Sequence, residues 1–78
     1  MKTTKSLPKI SRAELGRFLK AARKKRGLTQ VDVSEALGIS QSAWSKFENG
    51  IHEPIITVYM QFCVLVKLSP DELIRSLG

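Results

Sequence analysis

The sequence of 78 residues predicts a single all-α domain. The first observation is a set of helix-start signals, each a Ser or Thr followed three residues later by an acid: Ser11 with Glu14, Thr29 with Asp32, and Ser69 with Glu72. The second is that Gly follows two of the apolar stripes begun by these signals, where a helix would end. The third is that the most strand-like stretch, residues 55–66, has no second strand with which to pair.

The first predicted helix begins near Ser11 and ends at Gly27. Its last turn is basic, which complements the helix dipole and also offers contacts to phosphate. Arg23 lies at the edge of the buried stripe and therefore needs a partner, for which Glu48 is the candidate. The apolar stripe itself comprises Leu15, Phe18, Leu19 and Ala22.

Two short helices joined by a tight turn are predicted between residues 30 and 49. Thr29 caps the first helix, Gly38 can adopt the left-handed conformation that ends it, and Ser40 caps the second. Asn49 and Gly50 end the second helix. A small apolar centre shared by the pair is expected to contain Ala36, Ile39, Ala43, Trp44 and Phe47.

The other face of the second helix carries the polar residues Gln41, Ser42, Ser45 and Lys46. Such side chains suit the DNA major groove, because Gln can bind adenine in a bidentate manner, Lys can reach guanine and Ser can reach several base edges. A helix-turn-helix reader uses the N-terminal residues of its second helix in this way. The alternative is an ordinary solvated helix face in a small bundle.

Residues 55–66 predict a fourth helix that is apolar nearly all round. Its buried face would be formed by Ile56, Tyr59, Phe62, Cys63 and Val66. So small a domain can hardly bury the remaining apolar residues alone, which suggests a partner chain. A fifth helix is expected to begin at residues 69–72, with Pro70 in its first turn. Candidate residues for a dimer interface are Ile55, Val58, Leu65, Ile74 and Leu77.

Charge is distributed unevenly along the chain, which carries a net charge of +6. Residues 1–26 contain ten basic residues and one acid, whereas residues 27–78 contain three basic residues and six acids. This asymmetry suggests a side that faces a polyanion, although a solubilising surface is the competing interpretation. On the first helix, the candidate phosphate contacts are Arg17, Lys20 and Lys24. Residues 1–9 are expected to form a flexible basic arm, and residues 10–78 the domain.

Several classes of protein are disfavoured by the composition. One Cys forbids an internal disulfide, and one Cys with one His cannot supply a four-ligand zinc site. No catalytic constellation is evident, so neither an enzyme nor a cofactor or metal is expected. The apolar run of 12 residues at 55–66 is too short to span a bilayer, and no signal peptide is recognisable. A cytoplasmic protein is therefore predicted.

Four segments in this order resemble a known family: LGRFLKAARKKRGLTQ, VDVSEALGIS, QSAWSKFENG and LSPDEL. Over roughly residues 12–77 the chain resembles the lambda-repressor-like helix-turn-helix domains of Cro and XRE type. The resemblance implies a five-helix DNA-binding domain with the helix-turn-helix at helices 2 and 3. It further implies a homodimer on palindromic double-stranded DNA, with half-sites about 34 Å apart.

The resemblance also implies roles for individual residues. By position, Gln41, Ser42 and Lys46 would read bases, with Ser45 a weaker candidate, and Gln30 and Asn49 would bind phosphates. Arg23 and Glu48 match the positions of a buried ion pair, in agreement with the pairing inferred above.

Three departures from the family's pattern are notable. Lys67 replaces the usual Gly after helix four, which puts the usual turn there in doubt. Trp44 replaces a common Ile or Val. The loop at residues 51–54 lacks an Arg suited to the minor groove, so no minor-groove contact is predicted.

The leading prediction is a sequence-specific transcriptional regulator, most simply a repressor that acts by occupying its operator. The alternative is an antitoxin or anti-regulator whose main partner is another protein, because surplus apolar residues on helix four would serve that role equally well. A toxin-binding extension beyond the domain would favour the alternative, and none is expected within this length.

Overall fold

The chain folds into five helices, seen in a computed structural model that describes residues 10–77, with Leu77 described by its backbone only. The helices are α1 (Arg12–Lys25), α2 (Gln30–Leu37), α3 (Gln41–Glu48), α4 (Ile56–Val66) and α5 (Glu72–Leu77). Residues 10–77 contain no strand. The all-α, five-helix prediction is therefore confirmed, while the predicted basic arm at residues 1–9 lies outside the described residues.

The first three helices begin where the sequence predicts. At α1, the Glu14 backbone N–H donates to Ser11 Oγ and the Ser11 N–H donates to Glu14 Oε1, both at 3.0 Å. The same reciprocal capping box joins Thr29 and Asp32 at α2, with distances of 3.0 and 2.8 Å. Ser40 Oγ accepts the Ala43 N–H at 3.0 Å at the start of α3. Each cap satisfies backbone donors that have no partner within the helix.

Two predictions about the later helices need correction. Lys67 has φ 60° and ψ 45°, so it adopts the left-handed turn that a Gly would favour, and α4 ends normally. Helix α5 begins at Glu72 and not at Pro70, because residues 70 and 71 form a turn. In that turn the Glu72 N–H donates to the Ser69 carbonyl oxygen at 3.0 Å.

The core lies where α1, α2, α3 and α4 meet. Its central contact is between Trp44 and Phe62, whose ring centroids are 4.9 Å apart. Leu19, Val33 and Val66 complete the fully buried cluster. Helix α3 is thereby fixed from behind by a large aromatic residue, which leaves its opposite face free.

Two apolar residues expected in the interior lie at the surface. Ala36 is exposed because α2 turns Val33 and Ser34 towards the core instead. Ile56 is 69% exposed, because α4 presents the side centred on Phe62 to the core and Ile56 lies at the margin of that side. The surplus of apolar residues on α4 is therefore concentrated on one outward stripe.

Within residues 10–77, no helix combines the length and the apolar character needed to cross a membrane.

Candidate nucleic-acid interface

Helix α3 presents three of the four candidate base-reading residues to solvent: Gln41, Ser42 and Lys46. Gln41 Nε2 lies 3.5 Å from Gln30 Oε1, which is a long hydrogen bond between the first residues of α3 and α2. The structure thus brings together a predicted base-reading residue and a predicted phosphate-binding residue.

Ser45 differs from the other three residues of this face. It is half-buried, and its Oγ accepts a hydrogen bond from Asn49 Nδ2 at 3.2 Å. The contact orients the Asn49 amide at the C-terminal end of α3. Ser45 is therefore placed to support the neighbouring Asn49 side chain, which is itself exposed.

A buried ion pair joins α1 to the C-terminal end of α3. Arg23 Nε lies 2.6 Å from Glu48 Oε2, and Arg23 Nη2 donates to Glu48 Oε1 at 3.0 Å. The Glu48 side chain is only 1% exposed. Arg23 Nη1 also donates to the Leu28 carbonyl oxygen at 2.8 Å, so the same guanidinium holds the chain that leads into α2. Bidentate geometry of this kind restricts orientation as well as distance.

Two further donors bind Glu48, and the sequence analysis did not predict either of them. Trp44 Nε1 donates to Oε2 at 2.6 Å, and Gln30 Nε2 donates to Oε1 at 3.0 Å. The contact of Trp44 with Glu48 was predictable from the sequence, because the two residues are four positions apart and residues at that spacing share a helix face. Gln30 is 18 residues from Glu48 and only the fold brings them together.

The hydrogen bonds at Glu48 determine its ionisation. Burial raises the pKa of this carboxyl group, but hydrogen bonds from Arg23, Gln30 and Trp44 outweigh burial and hold the pKa below its ordinary value. Hydrogen bonding to Glu48 likewise raises the pKa of Arg23. Both groups are therefore charged near neutral pH, and the amide of Gln30 is fixed by an anion on one side while it meets Gln41 on the other.

Close packing of α1 on α3 depends on Gly16. A Cβ atom added at this position would lie 2.4 Å from the Glu48 carbonyl oxygen and 2.6 Å from that of Phe47. No larger residue fits without a shift of backbone. The position of Gly16 in the middle of a predicted helix was the sequence feature that could have indicated this close packing.

The three candidate phosphate contacts on α1 are all exposed, but they do not form one cluster. Lys20 and Lys24 are one turn apart, and both lie on the flank of α1 that adjoins Gly16 and Arg23. Arg17 instead borders a shallow groove with Ser76 of α5. Arg17 therefore lies on the side of α1 that borders α5.

The candidate dimer-interface residues are also divided by the structure. Ile55 and Ile74 are exposed, Val58 is half-buried, and the side chain of Leu77 is not described. Leu65 is half-buried and packs against the core of its own chain. The exposed apolar stripe of α4 consists of other residues, spaced one turn apart: Ile56, Met60 and Val64.

Across the described part of the chain, no three His, Cys, Asp or Glu residues are grouped so as to hold a metal ion.

Comparison with known proteins places this arrangement in a family. Residues 14–77 match the family described as the helix-turn-helix domain. No curated protein sequence matches the chain.

Solved structures with the same fold include several regulators. The clp gene regulator ClgR from Corynebacterium glutamicum is 25% identical, with a TM-score of 0.79 over 87% of this chain and 71% of that chain. The restriction-modification controller protein C.AhdI from Aeromonas hydrophila is 21% identical, with a TM-score of 0.74 over 80% of this chain and 94% of that one.

SinR, a master regulator for biofilm formation, is 23% identical with a TM-score of 0.70 and was solved in complex with DNA; the match covers 77% of this chain and 97% of SinR. A complex of SinR with SinI matches at the same identity and TM-score, over 76% of this chain and 58% of that chain. The match over residues 14–77 covers most of the sequence, and the chain therefore belongs to the helix-turn-helix domain family, with the fold of a Cro/XRE-type DNA-binding domain.

Proposed function

We propose that the chain is a cytoplasmic, sequence-specific regulator that inserts α3 into the major groove of its operator. The observation that carries this proposal is the solvent-exposed face of α3, with Gln41, Ser42 and Lys46 on a helix fixed from behind by Trp44 and Glu48. A rigid helix with short polar side chains near its N-terminus has the geometry that direct reading of bases requires.

The distribution of charge supports the same orientation, in which α3 faces the DNA. Lys20 and Lys24 are exposed on the flank of α1 that packs on α3, and neither forms an ion pair within residues 10–77. Phosphates of a bound duplex would be neutralised by these cations and contacted by Gln30 and Asn49. Such contacts position the protein on the duplex, whereas the α3 side chains select the sequence.

Repression by occupancy of a palindromic operator is the simplest mode of action. A homodimer would form through the exposed apolar stripe of α4, which consists of Ile56, Met60 and Val64. Ile55 and Ile74 would extend this surface. Large exposed apolar patches on small domains usually mark an interaction surface. Two-fold symmetry of the protein would then match two-fold symmetry in the DNA.

The same apolar stripe favours a second candidate function, in which the main partner is a different protein. SinR, which shares this fold, was solved in complex with DNA in one structure and in complex with the protein SinI in another. A regulator of this kind would be controlled through α4 and α5 while α3 retained its role on DNA.

The test is selection of bound duplexes from a random pool at near-physiological salt, followed by sequencing. A motif with two inverted half-sites about one helical turn apart, centre to centre, is expected if a dimer reads DNA through α3. A single unrepeated half-site would argue for a monomer. Failure to enrich any motif, with binding that fades as salt rises, would contradict sequence-specific regulation and direct attention to a protein partner.

A further inference from the structure

A groove runs along α1 on the side of the helix that faces away from α3. Three adjoining depressions of about 300, 350 and 200 Å³ form it, and each shares lining residues with the next. Phe18 and Lys25 line the groove and stand two positions from Gly16 and Arg23, respectively, which contact α3. Residues two apart on a helix point to different sides. We call this surface, bounded by α1, by α5 and by the end of α4, the α1–α5 groove.

The floor of the α1–α5 groove is apolar. Phe18 and Leu68 are half-buried, because they pack on the core with one side and line the groove with the other. Ala21, which is exposed, and Ala22 complete the floor. An apolar centre with a charged rim is the usual anatomy of a protein–protein interface, whereas a surface that binds DNA is more polar and more positive throughout. The floor therefore favours a protein partner over a nucleic acid.

The rim of the α1–α5 groove is predominantly cationic. Four side chains on it form no ion pair with any residue between 10 and 77: Arg17, Lys25, Arg26 and Lys67. The two acids on the rim already have partners. Glu14 Oε1 accepts the Ser11 N–H at 3.0 Å. Glu72 Oε2 lies 3.3 Å from Arg75 Nη1. Carboxylates of a partner would thus meet unpaired cations along the groove.

One of these cations, Lys67, is held in an unfavourable backbone conformation. Among residues 10–77 it is the one residue other than Gly with a positive φ, at 60°. A Gly would adopt this turn without strain, so the turn itself does not require a Lys. Strained residues cluster at sites where the side chain serves a function. The strain at Lys67 is therefore a second, independent indication that the rim binds a ligand.

The length and the charge of the groove define its occupant. From Glu14 to Arg26 α1 rises about 18 Å, which matches a helix of about 12 residues. A helix that buries apolar residues at every third or fourth position is a recurrent occupant of such grooves. A second copy of the chain is disfavoured, because each copy carries a net charge of +6. Residues 1–9 are disfavoured for the same reason, since they contain three Lys and no acid.

We propose that the α1–α5 groove binds an acidic amphipathic helix of a different protein, with apolar residues against Phe18 and Leu68 and carboxylates against the cationic rim. This site goes beyond the proposed function, because it lies apart from α3 and from the outward stripe of α4. The groove meets α4 only at its C-terminal end, at Val66. A partner bound there would leave both other surfaces accessible.

Selection of peptides on the full chain is the first test. A displayed library of random peptides about 14 residues long is enriched on the immobilised protein. Enriched peptides should carry apolar residues at every third or fourth position, with Asp and Glu beside them. Enrichment of neutral or basic peptides, or of none, would overturn the proposal.

Two neighbouring Lys residues of α1 provide a matched pair of variants. Lys25→Gln should weaken binding of the most enriched peptide about two- to fivefold, and less at high salt, because it removes one exposed charge pair. Lys24→Gln, on the flank of α1 that adjoins α3, should leave peptide binding unchanged. A mixed-sequence DNA duplex should show the reverse, weakened by Lys24→Gln and not by Lys25→Gln. Fluorescence anisotropy over a salt series measures both ligands.

Lys67→Gly and Ala21→Glu separate a lost contact from a damaged fold. Lys67→Gly relieves the strained turn, so it should raise the midpoint of urea denaturation while it weakens peptide binding about two- to fivefold. Ala21→Glu places a carboxylate on the exposed part of the floor and should weaken peptide binding at least about tenfold. Ala36→Glu, the same change at an exposed position of α2, is its control and should bind peptide normally.

Three further outcomes would overturn the proposal. Enriched peptides that are insensitive to both Ala21→Glu and Lys67→Gly would bind elsewhere on the chain. A loss of duplex binding in Lys25→Gln as large as in Lys24→Gln would assign the rim to nucleic acid. Self-association in sedimentation equilibrium that is abolished by Ala21→Glu but retained in Val64→Glu would assign the groove to a second copy.

Discussion

Glu48 holds α3, the helix proposed to enter the major groove, against α1 and α2. Its two oxygens accept four hydrogen bonds, from Arg23, Trp44 and Gln30, and so join α1, α2 and α3 at one buried point. A buried carboxylate without these donors would be costly, whereas a fully satisfied network fixes a single arrangement. The contribution of this network to folding must also depend on pH.

Stability should fall in acid, and Glu48→Gln should remove part of that dependence. The pKa of Glu48 is lower in the folded chain than its ordinary value, so the stabilisation is complete above about pH 4.3 and is lost as pH falls below it. At pH 7, Glu48→Gln should cost about 3–5 kcal/mol, because it leaves Arg23 buried without a counter-charge.

Urea unfolding of both proteins at pH 7 and pH 3 measures this effect. The difference in free energy of unfolding between wild type and Glu48→Gln should shrink at pH 3. The exposed Glu35→Gln is the control, and it should change little at either pH. A difference that stays constant with pH would contradict the ionised network.

Gln41 is the residue that tests the proposed reading of bases by α3. Gln41→Ala should cost about 1–3 kcal/mol on the selected operator and relax the preference for one base pair. Gln61→Ala, an exposed position on α4, is the matched control. Competition assays against single-base operator variants give the measurement. Equal weakening on every sequence would instead indicate a backbone contact.

At the scale of whole elements, the turns after α2 and α4 have the same left-handed conformation but different residues. Gly38 has φ 70° and Lys67 has φ 60°. A residue with a side chain is strained there by about 1–2 kcal/mol, whereas Gly is not. Lys67 is therefore less suited to the left-handed conformation of its turn than Gly38 is.

Lys67→Gly should stabilise the chain, and Gly38→Ala should destabilise it. The gain at Lys67 should be about 0.5–1 kcal/mol, because relief of strain exceeds the chain entropy that Gly adds to the unfolded state. The loss at Gly38 should be about 1 kcal/mol and should come from backbone strain alone, since a Cβ atom there meets nothing within 4 Å. Midpoints of urea denaturation report both changes. A loss of stability in Lys67→Gly would show that the Lys side chain itself stabilises the turn.

At the scale of the molecule, the polar face of α3 and the apolar stripe of α4 are separate surfaces. The core residues Trp44 and Phe62 lie between these two helices, so each helix turns a different side to solvent. A dimer formed through α4 would leave both α3 helices free for DNA. This separation is what allows association and DNA reading to be tested independently.

Val64→Glu should dissociate the proposed dimer without unfolding the chain. Val64 is 78% exposed, whereas the neighbouring Leu65 packs on the core and is less suitable for the test. A charge on each copy at the stripe would repel the partner and be costly to bury. Sedimentation equilibrium should shift to monomer, and binding to the palindrome should weaken while binding to one half-site persists.

Thr57→Glu is the control for this variant, because Thr57 is exposed on the same helix but is not apolar. A wild-type chain that stays monomeric at micromolar concentration would rule out self-association through α4. The exposed stripe of α4 would then be the proposed binding surface for a different protein.

Local features of the chain were predictable from the sequence by itself. Ser11, Thr29 and Ser40 cap their helices with atoms of residues only three positions away, so the signal and the structure coincide. Gly38 ends α2 through its own backbone freedom. The order of helices, the helix-turn-helix and the polar face of α3 follow from such short-range rules.

The tertiary structure alone decided which distant groups meet and which apolar residues remain outside. Gln30 reaches Glu48, Arg12 reaches Ile51, and Gly16 accepts the backbone of α3 at a distance that no periodicity in the sequence specifies. Ile56, expected in the interior, is exposed, and Leu65, expected at an interface, packs against the core. The reason is that packing around Phe62 sets the rotation of α4 about its axis. A helix that is apolar on every side contains no internal signal for that rotation, so only contact with the rest of the molecule determines it.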